Sequence, residues 1–302
     1  MIQNLNFYDI YGYLIPGLIL ATLMWLPRGL IDKQWPPADW TSALLAIVIG
    51  YVIGHLVKAL GRNALPSKTM DGRFPSEALL DKDNDILSDD LKKRLQERIL
   101  TLSGIDVKTD KTKSEVDDKL STKRKDGFVF CRDALLTSKT ISYGEQMQGM
   151  YTLLDGLTIA FALGAAYTLG WAISGIGADT PQRFSWIFFG FGLVEAIVVV
   201  AIGLGKDVDS PMARARLTCG FLMVALLASG YIFGLGKVSN LDQRGRLGAI
   251  MLASIFASLI CFTSYKYFTR VYAETIYRAF NLYEKPSTGA PAKADVTIGW
   301  FG

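Results

Sequence analysis

The feature that most constrains this chain is the gathering of its apolar residues into six blocks of about twenty, each nearly free of charge. The blocks lie at about 7–26, 40–60, 151–173, 184–205, 217–235 and 247–268. Each is long enough to cross roughly 30 Å of hydrocarbon as a helix. In lipid only helices and closed barrels satisfy their own backbone polar groups. The pattern therefore excludes an ordinary soluble globule and predicts an all-α, polytopic helical membrane protein. Four regions follow: a transmembrane hairpin at 1–60, a mainly helical insert at 61–149, a four-span bundle at 150–268, and a helical extension with a flexible tail at 269–302.

Local sequence refines the spans. Pro16 and Gly17 inside the first block predict a kink, since neighbouring helices can resatisfy the freed carbonyls. Residues 27–39 read as a short loop, with Trp35 and Trp40 suited to a membrane boundary. No basic residue precedes Arg28 and no small-residue cleavage signal follows the first block, which is expected to be a retained span. With 61–149 inside, thirteen Lys and Arg residues near span ends share its side, against six on the other: Arg28, Lys33, Arg183, Lys237, Arg244 and Arg246. The positive-inside rule then places both termini and the insert in the cytoplasm. The three basic residues of 236–246 are the exception to that count.

The insert holds sixteen acidic residues. Its clearest element is LSDDLKKRLQERILTL, with Ser88 as N-cap, Asp89 and Asp90 in the first turn, Leu91, Leu95, Ile99 and Leu102 at helical spacing, and Gly104 as terminator. The run VKTDKTKSEVDDKLSTKRKDG reads as mobile or as a short charged helix, and GFVFC at 127–131 as a short strand before a helix from Asp133. Ser142 and Glu145 form a capping box ahead of the third span. The sixth span is expected to continue as one helix to about Glu284. Tyr265, Phe268, Tyr272, Ile276, Phe280 and Tyr283 fall on one side of it, a stripe that needs a partner, most simply the insert. Tyr272, Ile276, Phe280 and Tyr283 are the candidates for coupling to that insert.

Chemistry-bearing motifs are sparse. The chain has one histidine and no nucleophile elbow, Walker loop, dinucleotide fingerprint or HExxH, so it is expected not to be an enzyme and to need no cofactor. Cys131, Cys219 and Cys261 form no CxxC pair and read as reduced and structural, without a metal site. A net charge of +4 without a basic block argues against nucleic acid.

Intramembrane polarity is what remains. Glu195 in the fourth block either lines a wet path for cations or protons, or is a hydrogen-bonded packing carboxyl; Ser254 and Ser258 are its expected neighbours. His55 reads either as a sensor of pH or as an anchor at the headgroup boundary. Asp9 and Asp155, near helix starts, are expected to cap or pack. Gly50, Gly54, Gly156, Gly164, Gly230 and Gly234 are spaced for close helix contact.

The opening FYDIYGYLIPGLIL at 7–20 resembles the first span of a loose group of bacterial multi-pass inner-membrane proteins, some encoded beside antiphage-defence or signalling components. YAETIYRAFNLY at 272–283 resembles their closing juxtamembrane helix. The resemblance covers about 30 residues and carries over no site residue. It implies a bacterial inner-membrane effector whose cytosolic part answers a signal or a soluble partner. Three functions are consistent with this reading: an oligomeric ion-conducting or membrane-perturbing effector controlled by its insert, a non-conducting anchor or sensor presenting that insert, and a secondary transporter. The last lacks the internal repeat it predicts.

Overall fold

A computed structural model describes residues 9–70, 73–108, 117–138, 142–174, 211–235, 237–238 and 240–283. Among them the chain is all-helical, with one isolated bridge between Met70 and Arg73. The helices are α1 (Ile15–Ile31), α2 (Trp40–Ala64), α3 (Pro75–Ala78), α4 (Asp89–Ser103), α5 (Asp117–Thr137), α6 (Ser142–Ser174), α7 (Pro211–Gly234) and α8 (Leu241–Leu282). The chain divides into a first unit, Met1–Ser67 with Gln148–Phe268, and a second, Lys68–Met147 with Thr269–Gly302.

Four helical stretches are long and apolar enough to cross a membrane: Ile10–Ile31, Trp40–Arg62, Gly144–Ser174 and Leu241–Leu282. Gly220–Gly234 of α7 is apolar but shorter. The expected span at 184–205, with Glu195, lies outside the described residues.

In the first unit α6 is the enclosed helix: 72% of its apolar window is buried, against 11% for α8. Leu20 of α1, Val57 of α2 and Ile159, Ala160 and Leu163 of α6 form one core cluster. Tyr167 and Trp171 of α6 form another with Val238 and Leu247. The outward faces are also apolar. Leu44, Leu45, Val48, Val52 and Leu56 of α2, and Leu252, Phe256 and Leu259 of α8, are all exposed. A helix apolar on every side belongs in a core or in lipid. Leaving these eight side chains in water would cost on the order of 10 kcal/mol or more, which makes lipid the solvent that fits this surface.

The first span contains a π-helical turn, Ile10–Leu14, running into α1 with the Ile15 amide bonded to the Ile10 carbonyl. This wider turn lies just ahead of Pro16, which supplies no amide hydrogen. The helix also continues through Pro27 to Ile31, so the expected loop at 27–39 shortens to 32–39. Asp39 then starts α2, its carboxylate accepting from the Ser42 amide at 2.7 Å. That bond holds the Asp39 carboxyl below its usual range. At the other end of the unit α8 begins at Leu241, six residues before the expected start, so most of the anomalous basic stretch is helix. Lys237 pairs with Asp32 at 2.9 Å and Arg246 with Asp242 at 2.9 Å, which offsets two of its three charges.

The second unit is built like a soluble domain. Leu79, Leu80, Leu87, Leu95, Ile99, Val107, Cys131 and Leu135 are buried. Gly104 ends α4 in the left-handed conformation, φ 75°, which glycine adopts without steric cost. Ser88 occupies the N-cap position but makes no side-chain cap bond. The strand expected at GFVFC is corrected: α5 passes straight through it. Arg124, Gly127, Cys131 and Leu135 recur at helical spacing and are all buried, and Gly127 lies against Val107 and Ile99. That contact decides the segment in favour of helix, because a period of 3.6 buries one continuous line where a period of 2 would not. Buried Arg124 joins α5 to α3 and the turn after it, pairing with Asp81 at 2.6 Å and donating to the Glu77 carbonyl at 3.2 Å.

Candidate functional site

The first unit brings together charges that are remote in sequence. Lys58 lies near the end of the apolar part of α2, and Asp155 is thirteen residues into α6. Their side chains meet at 2.6 Å and are 10% and 7% exposed. The Lys58 ammonium also approaches the Thr152 carbonyl at 3.5 Å. Gly61, one turn beyond Lys58, is the residue that lets α2 approach here: a Cβ in its place would sit 3.3 Å from the Asp155 carbonyl oxygen. Tyr265 of α8 is close enough to Asp155 to interact with it electrostatically, and its hydroxyl donates to the Pro66 carbonyl at 3.5 Å. Three helices thus contribute to one buried polar site.

Only one carboxylate oxygen of Asp155 is used. Oδ2 accepts from Lys58, while Oδ1 is buried with no hydrogen-bond partner among the described residues. An ion pair in a low-dielectric setting recovers its desolvation cost only when its remaining donors and acceptors are satisfied. A half-satisfied pair inside an apolar span is therefore costly to maintain, and intramembrane ionisable groups of this kind mark functional positions. Of the two roles expected of Asp155, capping or packing, its place favours packing: it sits well inside α6, where it meets a cation on another helix. Asp9 likewise makes no side-chain cap bond.

The other sequence-derived candidates are dispersed. Ser258 donates to the Thr158 carbonyl of α6 at 2.9 Å, and Ser254 is buried on the same side of α8. Ser258 therefore meets α6, while Glu195 is outside the described residues. His55 is exposed, its ring stacked on Tyr13 at 4.1 Å and edge-on to Tyr51 at 4.7 Å.

The glycines sit at helix approaches. A Cβ on Gly54 would overlap the Tyr13 carbonyl, on Gly50 the Leu18 side chain, on Gly156 the Pro16 ring and on Gly164 Leu23. On Gly230 it would overlap the Tyr167 carbonyl and on Gly234 the Ser174 hydroxyl. Sequence spacing missed Gly17 and Gly170, whose added Cβ atoms would overlap the Gly50 and Leu227 carbonyls.

Within the second unit the α8 stripe is covered. Ile276 and Phe280 are buried, and Tyr272 nearly so. Phe128 of α5 lies edge-on to Tyr272 at 6.1 Å, Phe130 edge-on to Phe280 at 5.9 Å, and Tyr283 stacks on Phe280 at 5.9 Å. Arg98 of α4 sits over the Phe280 ring and donates to the Asn281 carbonyl at 2.9 Å. Tyr277, outside the stripe read from sequence, is fully buried and donates to the Ser76 carbonyl at 2.6 Å. Burial raises the Cys131 thiol well above its ordinary range, which suppresses the reactive thiolate.

Among the described residues no cluster of His, Cys, Asp and Glu could hold a metal ion. No family model, no curated protein and no solved structure matches the chain.

Proposed function

We propose that this protein is an oligomeric bacterial inner-membrane effector that conducts ions or perturbs the bilayer under control of its second unit. In this reading six spans place both termini and the 61–149 insert in the cytoplasm, and antiphage defence is the setting that the resemblance of its first span and closing juxtamembrane helix suggests. The observation that carries the reading is α8. One unbroken helix of 42 residues, about 63 Å long, supplies buried Ser254 and Cys261 to the first unit and buried Ile276, Tyr277 and Phe280 to the second. A change in the packing of the second unit acts on a helix that is itself a candidate span. The test is ion or dye release from liposomes holding the purified protein, with and without the products of neighbouring genes. Release that depends on this protein and is altered by Phe280→Asp supports the reading; tight liposomes under every condition refute it.

A second reading is a non-conducting anchor or sensor that presents the second unit to a soluble partner. It is favoured by an open groove of about 480 Å³ on α5, lined by Asp126, Val129, Phe130, Asp133, Ala134, Thr137 and Tyr283. Under this reading Val129→Glu abolishes partner capture and leaves liposomes tight.

A further inference from the structure

The Lys58–Asp155 pair has more capacity than its contacts use. A carboxylate offers about four acceptor directions, yet Asp155 spends only one oxygen on Lys58, and Oδ1 faces no donor among the described residues. Among the described residues the groups recorded against the pair are Lys58 and, one turn on, Arg62 from α2, Tyr265 from α8, and from α6 itself the Thr152 carbonyl, which faces Lys58, and the Gly156 amide beside the carboxylate. A carboxyl group in such surroundings can satisfy Oδ1 by carrying a proton, since burial penalises the ionised form while one cation and the Gly156 amide favour it.

We propose that Asp155 is a proton-binding site within the membrane unit, taking a proton at Oδ1 and releasing the Lys58 ammonium from Oδ2. The proton comes from water, and the charge of the pair rises from zero to plus one. Among the described residues the released ammonium keeps the Thr152 carbonyl but faces the like charge of Arg62, so it is drawn toward water, loosening the bond between α2 and α6. This inference does not depend on whether the protein conducts ions.

Infrared spectroscopy of the full-length protein in lipid nanodiscs tests it, read at each pH as the difference between aspartate-labelled and unlabelled protein, between about pH 8 and about pH 5, a range that covers perturbed carboxylates. Protein carrying 13C-labelled aspartate should show a protonated-carboxyl stretch that grows on acidification and shifts with the label. In Asp155→Glu the titrating band should persist but lose its sensitivity to labelled aspartate, and in Asp155→Asn it should vanish. Lys58→Gln should carry the band to higher pH, because the cation that opposes protonation is gone. Two results overturn the proposal: no band that Asp155→Asn removes at any pH in the range, or such a band of constant size across it. The first makes the pair a permanent salt bridge and the second a permanently neutral pair. Asp155→Asn and Asp155→Glu each assign the band among the labelled aspartates, so the outcomes are told apart even if one of the two variants fails to insert. Tight liposomes together with a titrating Asp155 would refute the effector reading alone.

Discussion

The two units of this protein solve the packing problem in opposite ways. In the first, small residues and polar groups face inward: Gly17 against Gly50, Gly54 against Tyr13, Lys58 against Asp155, Ser258 against Thr158. Leu44, Leu45, Val48, Val52 and Leu56 of α2 and Leu252 and Leu259 of α8 face outward. In the second, Leu79, Leu95, Ile99, Ile276 and Phe280 are buried while Asp89, Asp90, Lys93 and Arg94 are exposed. Hydrophobic burial organises the second unit as it does any soluble domain. It cannot organise the first in lipid, where close backbone approach and dispersion take over. The same side chain is therefore worth different amounts in the two units.

The largest expected effect tests that claim at a glycine. Gly54→Leu drives its side chain into the Tyr13 carbonyl, backbone that cannot swing aside. It should abolish recovery of monodisperse protein from detergent extracts in size-exclusion chromatography. Gly245→Ala, with open space around it, should leave recovery unchanged.

Next is the matching experiment in the second unit. Phe280→Ala removes a fully buried ring and should cost about 3–5 kcal/mol. The loss should appear as rapid maleimide labelling of Cys131, which is otherwise buried with its thiol protonated. Slow labelling in Phe280→Ala would show that the unit does not depend on the α8 stripe.

A carboxylate placed on each surface sharpens the contrast further. Val52 and Leu100 are 57% and 39% exposed, so exposure alone makes them alike. Val52→Asp should reduce membrane insertion by about 3 kcal/mol, read from the glycosylation or protease pattern of an insertion assay. Leu100→Asp should remain within about 0.5 kcal/mol of wild type, as surface substitutions usually do. Equal responses would remove the distinction between lipid-facing and water-facing surface.

The smallest effect concerns the boundary between the spans. The Asp39 carboxylate caps α2, and its pKa is lowered from 3.8 chiefly by the Ser42 amide. A depressed folded-state pKa means the cap is fully stabilising above the unfolded value, weakens as pH falls below 3.8 and is lost below the folded value. Asp39→Asn retains a capping oxygen and should remove this acid-side loss from a thermal denaturation series; Asp39→Ala should fray α2 at every pH.

How much of this was legible follows from the range of each signal. Long apolar windows and glycine repeats are local, and α1, α2, α6 and α8 could be read from them. The stripe from Tyr265 to Tyr283 was visible for the same reason, since its period is confined to one helix. Its partner was not: Phe128 and Phe130 alternate as a strand would, and only the burial of Arg124, Cys131 and Leu135 makes that stretch helical. Pro27 carried a stop signal that its buried place in α1 overrides. The Lys58–Asp155 pair left no trace, because 97 residues separate its members and neither belongs to a motif.

The second unit is discontinuous in the chain, and this gives it a history as well as a shape. Residues 68–147 emerge from the ribosome long before Thr269, with the whole of 148–268 made in between. At about 5–20 residues per second, Phe128 and Phe130 wait roughly ten seconds for Tyr272, Tyr277 and Phe280 to arrive. A chain that stalls or terminates within the later spans never closes this unit. Its unpaired aromatic surface then marks it as unfinished to chaperones and proteases, so completion of the last helix certifies the rest of the molecule.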